Sequence, residues 1–372
     1  MAGDVLFTNG FTMAWGGYDV MNPDLVDIVD QDVISYEIQG AQEAMTKMGY
    51  VKQEPINPNL QISVKVGARE LKETVEGELI PLGEPGKGPN KTTQVTIFSE
   101  KRLITKLAYD WVKSNQFLGS ANPSTQQAVG EMAEGMRDLK KGLMLSKAIQ
   151  ATRVFTLGFA VTQPYWPGSA TPDGNSLFDT DHVWNDGVIN GTFGNVLGSG
   201  GYGTLNAVFS ATQLQAMLDI QKTILRLRNG HKTFAWPEYK LHIPRELAVA
   251  VRTVLNTASD KAGPWSGTGS NANEVNTFYF QGNRVELVEN PFIGYQTDEL
   301  GTLGAITNYY LVNSYGAVEN RALRYLELNW GEFEIWYDEN TKNRYSSLWS
   351  AFQCDHFGAE SFITASQGTV TP

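Results

Sequence analysis

Residues 177–182 read LFDTDH, and they come shortly after a stretch, 123–155, in which apolar side chains recur at helical spacing. That order decides how the chain is read. Two aspartates and a histidine within four residues carry the right atoms for a hard or borderline cation. Their surroundings point elsewhere: a long hairpin with a Gly/Pro tip and one very long helix come before them, and a mixed α/β region follows.

Upstream, Asn122 suits a helix cap and Pro123 suits the first helical position. From there Val129, Met132, Ala133, Met136, Leu139, Leu143, Ala148, Ala151 and Phe155 mark one face. Glu131, Glu134 and Asp138 lie toward the start, and Lys140, Lys141, Lys147 and Arg153 toward the end, which complements the helix dipole. The helix predicted over 123–155 is about 45–50 Å long, two to three times the usual globular helix. Gly130, Gly135 and Gly142 argue against a coiled coil and suggest close packing on a sheet or a neighbour.

Before the helix, Ile62, Val64 and Val66 alternate, then Val75, Leu79 and Leu82, then Val95, Ile97 and Leu103, with GEPGKGPN (83–90) between the last two groups. Strand patterns around a Gly/Pro-dense tip read as a long hairpin over 62–106. Its many charges, among them Glu76 and Glu78, leave little for a core of its own. Residues 1–30 show scattered aromatics, Trp15 and Tyr18 included, without a period, and read as an extended arm. A helix is predicted from about Asp30 to Met48.

After LFDTDH, the chain predicts helix 210–228, strand 239–243, helix 244–257 starting on Pro244, and strands 285–290 and 309–313. Residues 321–357 are mainly strand, with a turn at 338–343. The whole reads as α+β.

Bulk properties narrow the function classes. The 372 residues carry a formal net charge of −11, with no Lys/Arg run, so bulk electrostatics give no grip on a phosphate backbone. The single cysteine, Cys354, excludes an intramolecular disulfide and a Cys-rich zinc site. It reads as a buried inert thiol. The stretch MAGDVLFTNGFTMAWGG (1–17) lacks a basic segment followed by an apolar run, so a signal peptide is not expected, and no stretch of the sequence approaches the apolar length of a membrane span.

The order of arm, hairpin, long helix, LFDTDH, a Gly/Asn-rich stretch ending near Leu205–Asn206, a helix, a short strand entering HIPRELA (242–248), and VELVENP (285–291) resembles the major capsid proteins of tailed bacteriophages, the Hong Kong ninety-seven-like fold. Within that family the series is similar to the Mu-like major head subunit branch. The resemblance implies an N-terminal arm (1–30), a first helix of the peripheral domain (31–61), an extended loop (62–106), more peripheral domain with the spine helix (107–156), an axial domain (157–320) and C-terminal peripheral strands (321–372). It implies a non-enzymatic shell protein of a phage or prophage head, without cofactor, assembled in the host bacterial cytoplasm. Its partners would be copies of itself in hexamers and pentamers, a portal protein, a decoration protein, and double-stranded DNA held weakly and without sequence preference. No charged leader precedes the arm, so scaffolding is expected from a separate protein.

Other readings of single motifs compete with this one. Asp179, Asp181 and His182 either hold a metal, with Glu319, Asp355 and His356 as conceivable further ligands, or shape a turn through side-chain to backbone bonds. The turn is preferred, because ligand spacing alone has many false positives. GSGGYG (198–203) formally matches G-x-G-x-x-G, yet the next helix starts only near Ser210, so a surface loop is expected. Cys354, Asp355 and His356 are adjacent in sequence only, and strand neighbours face opposite ways. Lys87 and Lys91 at the hairpin tip, with Asn340 and Asn343 in the 338–343 turn, raise an inter-subunit isopeptide of the kind one member of that family forms, although most of its members rely on non-covalent contacts. An exposed lysine keeps its ordinary high pKa, which argues against it. Candidates for contacts between subunits are therefore Trp15, Tyr18, Glu76, Glu78, Lys87, Lys91, Asn340 and Asn343. Gly67, Gly119 and Gly158 are candidate hinges. The alternatives to a shell protein are a metal-dependent enzyme centred on 177–182 and a phage tail or adhesin module.

Overall fold

The protein is seen in a computed structural model that describes residues 45–53, 59–63, 90–104, 123–159, 161, 171, 173–183, 192–204, 209–224, 238–256, 284–293, 308–337 and 344–366. The arm, the hairpin interior, most of the first helix and the 338–343 turn lie outside these residues. So do Trp15, Tyr18, Glu76, Glu78, Lys87, Asn340, Asn343, Gly67 and Gly119.

The fold is α+β, built on two four-stranded sheets. The first runs in the order β1 (Tyr50–Gln53), β10 (Leu323–Tyr337), β11 (Arg344–His356), β4 (Thr96–Ile104). Strands β10 and β11 form a long antiparallel ladder, with register shifts between Glu327 and Glu332, and β1 joins parallel to β10. Helix α1, Pro123–Thr156, lies over this sheet and chiefly over β11. It is one residue longer than the sequence pattern predicts. Its buried positions include Leu139, Leu143, Lys147, Ala151, Val154 and Phe155, the three-to-four spacing of one helix face. They enter a core with Tyr325, Leu348, Phe352 and Cys354. At Gly135 and Gly142, nothing among the described residues lies within 4 Å of where a Cβ would stand. The close packing expected of these glycines is thus not made by the described part of the chain.

The second sheet runs in the order β12 (Ile363–Ala365), β9 (Tyr310–Asn313), β7 (Glu238–Ile243), β8 (Arg284–Glu289). Strands β7 and β8 are parallel, joined through a short 3-10 turn, Arg245–Leu247, and helix α3, Ala248–Asn256. Helix α2, Ala211–Ile224, buries Leu214, Met217, Leu218, Ile220 and Ile224 in a second core with Tyr239, Leu241, Ile243, Tyr309 and Leu311. After β11 the chain turns at Gly358 (φ 82°) and pairs Ile363–Ala365 with β9 of the second sheet. Ile363 and Ala365 are fully buried there and contribute to the first core.

The hairpin also differs from its expected bounds. Its base is β2 (Asn59–Ser63) paired antiparallel with β3 (Asn90–Gln94), a separate two-stranded sheet. After Val95 the chain leaves the hairpin, and β4 becomes an edge of the first sheet, pairing with β11 from Thr96↔Phe352 to Ile104↔Arg344. Ile97 and Leu103 on β4 are 67% and 60% exposed. No described helix is long and apolar enough to cross a membrane.

Candidate functional site

The LFDTDH segment belongs to a knot formed by the described residues between 171 and 204, in which β5 (His182–Val183) pairs antiparallel with β6 (Thr192–Phe193). The Thr171 amide donates to the Asn175 carbonyl at 2.8 Å and the Gly174 amide to the Thr171 carbonyl at 2.9 Å, with Gly174 in the left-handed region (φ 88°). Asp173 then accepts from the Thr171 hydroxyl, the Asn175 amide at 3.3 Å and the Val183 amide at 3.0 Å, and its Oδ2 lies 3.1 Å from Nδ1 of the His182 ring. Burial works to raise the Asp173 pKa. The hydrogen bonds from His182, Thr171 and Val183 outweigh it and hold the carboxyl well below its usual range. His182 is fully buried, its Nε2 is 3.1 Å from the Leu177 carbonyl, and Phe193 covers its ring at 5.2 Å between centroids.

Asp179 caps its own turn, with Oδ1 accepting from the Thr180 amide at 2.6 Å and the Asp181 amide at 3.1 Å. Asp181 is exposed and joins the loop through its backbone, its amide donating to Asp179 and its carbonyl accepting from Asn175 Nδ2 at 3.1 Å. The carboxylate that orders His182 belongs to Asp173, which the sequence reading passed over.

Asn195, also passed over, ties the knot to the rest of the chain. Its Nδ2 donates to the carbonyls of Leu177 at 2.8 Å and Glu360 at 3.2 Å, and its Oδ1 accepts the Asp179 amide at 3.0 Å. Its backbone carbonyl accepts from the Ala365 amide of β12 at 3.0 Å. Gly158, a candidate hinge, is a packing position instead. A Cβ there would meet the Phe178 ring at 2.8 Å and the Val154 carbonyl at 2.8 Å. The GSGGYG stretch is a tight turn with Gly198, Gly200, Gly201 and Gly203 all at positive φ, and no strand leads into it. It lacks the strand–loop–helix context of a dinucleotide site.

The chemistry this arrangement supports is structural. Asp173, Asp179, His182 and Asn195 spend their polar atoms on one another and on backbone groups. Among the described residues no group of three or more His, Cys, Asp or Glu is placed to hold a metal ion.

Two buried lysine–carboxylate pairs lie elsewhere, on either side of the first sheet. Lys147 of α1, 1% exposed, donates to Glu327 Oε1 at 2.6 Å beneath the rings of Phe352 and Tyr325. Glu327 also receives the Tyr325 hydroxyl at 2.8 Å and pairs with Lys52 at 2.8 Å. Burial acts to raise the Glu327 pKa, and these donors together bring it below its usual value. Lys147, read from sequence as one of the charges that complement the helix dipole, is a core residue.

Lys91 was expected near an exposed tip. It is 7% exposed, donating to Asp355 Oδ1 at 2.9 Å and to the His356 carbonyl at 2.5 Å, with its Nζ 5.1 Å from the Phe357 ring centroid. Burial lowers its pKa against the opposing pull of Asp355. Its ammonium is thus engaged within the subunit. Cys354, the neighbour of Asp355, packs in the core under α1, where burial raises the thiol pKa well above its usual value. That makes it a poor nucleophile.

No protein-family model and no curated protein sequence matches the chain. Among solved structures, 174 chains match. A virus-like particle from Pyrococcus furiosus is similar over 91% of this chain and 98% of its own, at 8% identity and a TM-score of 0.41. The capsid of a native GTA particle is similar over 87% and 89%, at 10% identity and a TM-score of 0.43. The capsid of Myoviridae phage XM1 is similar over 87% and 91%, at 9% identity and a TM-score of 0.42. These are likenesses in outline.

Proposed function

We propose that this chain is a shell subunit, many copies of which assemble into the icosahedral head of a tailed phage or prophage around double-stranded DNA. The role is structural and not catalytic. The observation that carries the reading is the hairpin base. A two-stranded hairpin is marginal by itself in water, yet β2 and β3 form a sheet of their own, anchored to the body along one face of β3. We assign the further burial that such a hairpin needs to neighbouring copies. The exposed Ile97 and Leu103 on β4 add apolar area for the same use. Each copy then contacts several others, and weak contacts add through multivalency.

The acidic balance fits a container that does not hold its DNA tightly. Hexamers and pentamers of the chain, a portal protein, a separate scaffolding protein and a decoration protein are the partners this role calls for. The Mu-like branch is proposed on the series LFDTDH, HIPRELA and VELVENP. The contacts between subunits are assigned to Trp15, Tyr18, Glu76, Glu78, Lys87, Asn340 and Asn343.

Sedimentation and negative-stain microscopy of the purified chain, with and without a co-expressed scaffold, test the proposal. Closed shells or rings of hexamers and pentamers are expected. Monomer under every condition overturns it. Nuclease-resistant double-stranded DNA inside particles from induced cells tests the phage or prophage assignment.

A further inference from the structure

Strand β3 meets the body through one face. Lys91, Thr93 and Val95 alternate along it and are all buried, at 7%, 6% and 4% exposure. Val95 sits in a small apolar cluster with Leu326, Ala351 and Phe357. Lys91, about 13 Å further along the strand, reaches the end of β11 at Asp355 and His356. The ladder between β4 and β11 has already ended at Phe352, so Lys91 binds beyond it.

We propose that Lys91 and Asp355 form a directional latch that fixes the angle and register at which the hairpin leaves the subunit. The inference rests on the shell reading only for its purpose, which is to give every copy the same reach toward its neighbours.

Two anchors define a direction where one defines only a pivot. The anchor at Val95 is apolar and tolerates rotation, because hydrophobic contact is non-directional. The anchor at Lys91 is a charge-assisted hydrogen bond of fixed geometry. It also specifies register. A slip of β3 by two residues keeps the same face inward but brings Thr93, which has no ammonium, to Asp355. Arg324 faces the same place: it is the partner of Asp355 across the β10–β11 ladder and lies over the Phe357 ring at 4.8 Å. Its Nη1 donates to Gln53 Oε1 at 2.9 Å, so that cation is committed to β1. A buried ion pair adds little net stability over an apolar replacement, and specifying one arrangement is its best-attested use.

The test uses the full chain at a concentration too low for assembly. Spin labels are placed at Ser63→Cys in β2 and at Glu134→Cys in α1, while the buried native Cys354 stays unlabelled. Pulsed dipolar spectroscopy then reads the hairpin-to-body distance. One narrow distribution is expected for the parent. Lys91→Met and the double replacement Lys91→Met/Asp355→Leu should broaden or split it. The double variant removes both charges of the pair, though the His356 amide loses its Asp355 acceptor, and retention of its fold is checked by near-ultraviolet circular dichroism. A parent distribution that is already broad overturns the latch. So does an unchanged narrow distribution in the folded double variant, or unfolding of both variants, which would assign the pair to core stability. The shell reading fails separately, by absence of assembly in the parent, and that result would leave the latch standing.

Discussion

Asp173 Oδ2 lies 3.1 Å from His182 Nδ1 and accepts the Val183 amide at 3.0 Å, so one carboxylate closes the turn before LFDTDH onto the strand after it. Asp173→Ala removes the acceptor for a buried ring and a backbone amide together. A loss of about 2–4 kcal/mol in unfolding free energy is expected, since unpaired buried groups cost their full desolvation. Asp181→Ala, on an exposed side chain, should stay within about 0.5 kcal/mol. Urea titration of the two variants checks this. Equal losses would return the role to Asp181.

The same carboxylate gives the stability a pH dependence. Its folded pKa is depressed, by hydrogen bonds that outweigh burial. The unfolded chain therefore takes up this proton first on acidification. The contribution is fully present above the unfolded value of about 3.9 and is lost as pH falls from there through the folded value. Asp173→Asn should flatten the fall in stability below about pH 4. A slope unchanged from the parent would show that other carboxylates set it, Glu327 among them.

His242 acts in a second window. It is fully buried, its ring is stacked on Phe155 at 6.1 Å, and burial lowers its pKa to about 3. Between about pH 6.5, the unfolded value, and the folded value, the unfolded state binds a proton that the native state does not. Stability should then rise with pH across that interval. His242→Phe should remove up to one proton's worth of the slope, at most about 1.4 kcal/mol per pH unit. Denaturation series at several pH values read it directly.

Lys147 and Glu327 test how the first core tolerates charge. Lys147→Met leaves Glu327 buried with Lys52, about half exposed, as its remaining cation, and a loss of about 3–5 kcal/mol is expected. Lys147→Met/Glu327→Leu removes both charges and should recover much of that loss. A double variant as unstable as the single would mean that the pair contributes net stability of its own.

The sequence carried the elements whose signals are local. Pro123 opens α1, and the strand pattern at 239–243 falls within one residue of β7. The buried lysines were illegible for a physical reason. Lys91 and Lys147 find Asp355 and Glu327 across 264 and 180 residues of chain, and a lone lysine in an alternating or amphipathic pattern reads as a surface group. Asp173 did have a local signal. Thr171-Pro-Asp-Gly-Asn175 is turn chemistry in itself, and it stands close before His182, but the sequence reading passed over its aspartate. The return of β12 to the second sheet had none, since three residues carry no measurable period.

The hairpin gives the last prediction, and the observed base redraws its bounds. Deleting 80–94 would remove β3, with buried Lys91 and Thr93, and strand Asp355 without its cation. That variant should lose stability and yield. The cut that isolates assembly from folding is 64–89. Ser63 and Asn90 are direct partners in the β2–β3 ladder, so an Asn-Gly turn in place of 64–89 closes the strands without disturbing either anchor. The protein should stay soluble, with a melting temperature close to the parent's, because Val95 and Lys91 keep their contacts. Under the shell reading it should form no closed particles by negative stain, even where the parent does. Normal shells from this variant would show that the loop is dispensable, and global unfolding would show that residues 64–89 belong to the subunit's own core.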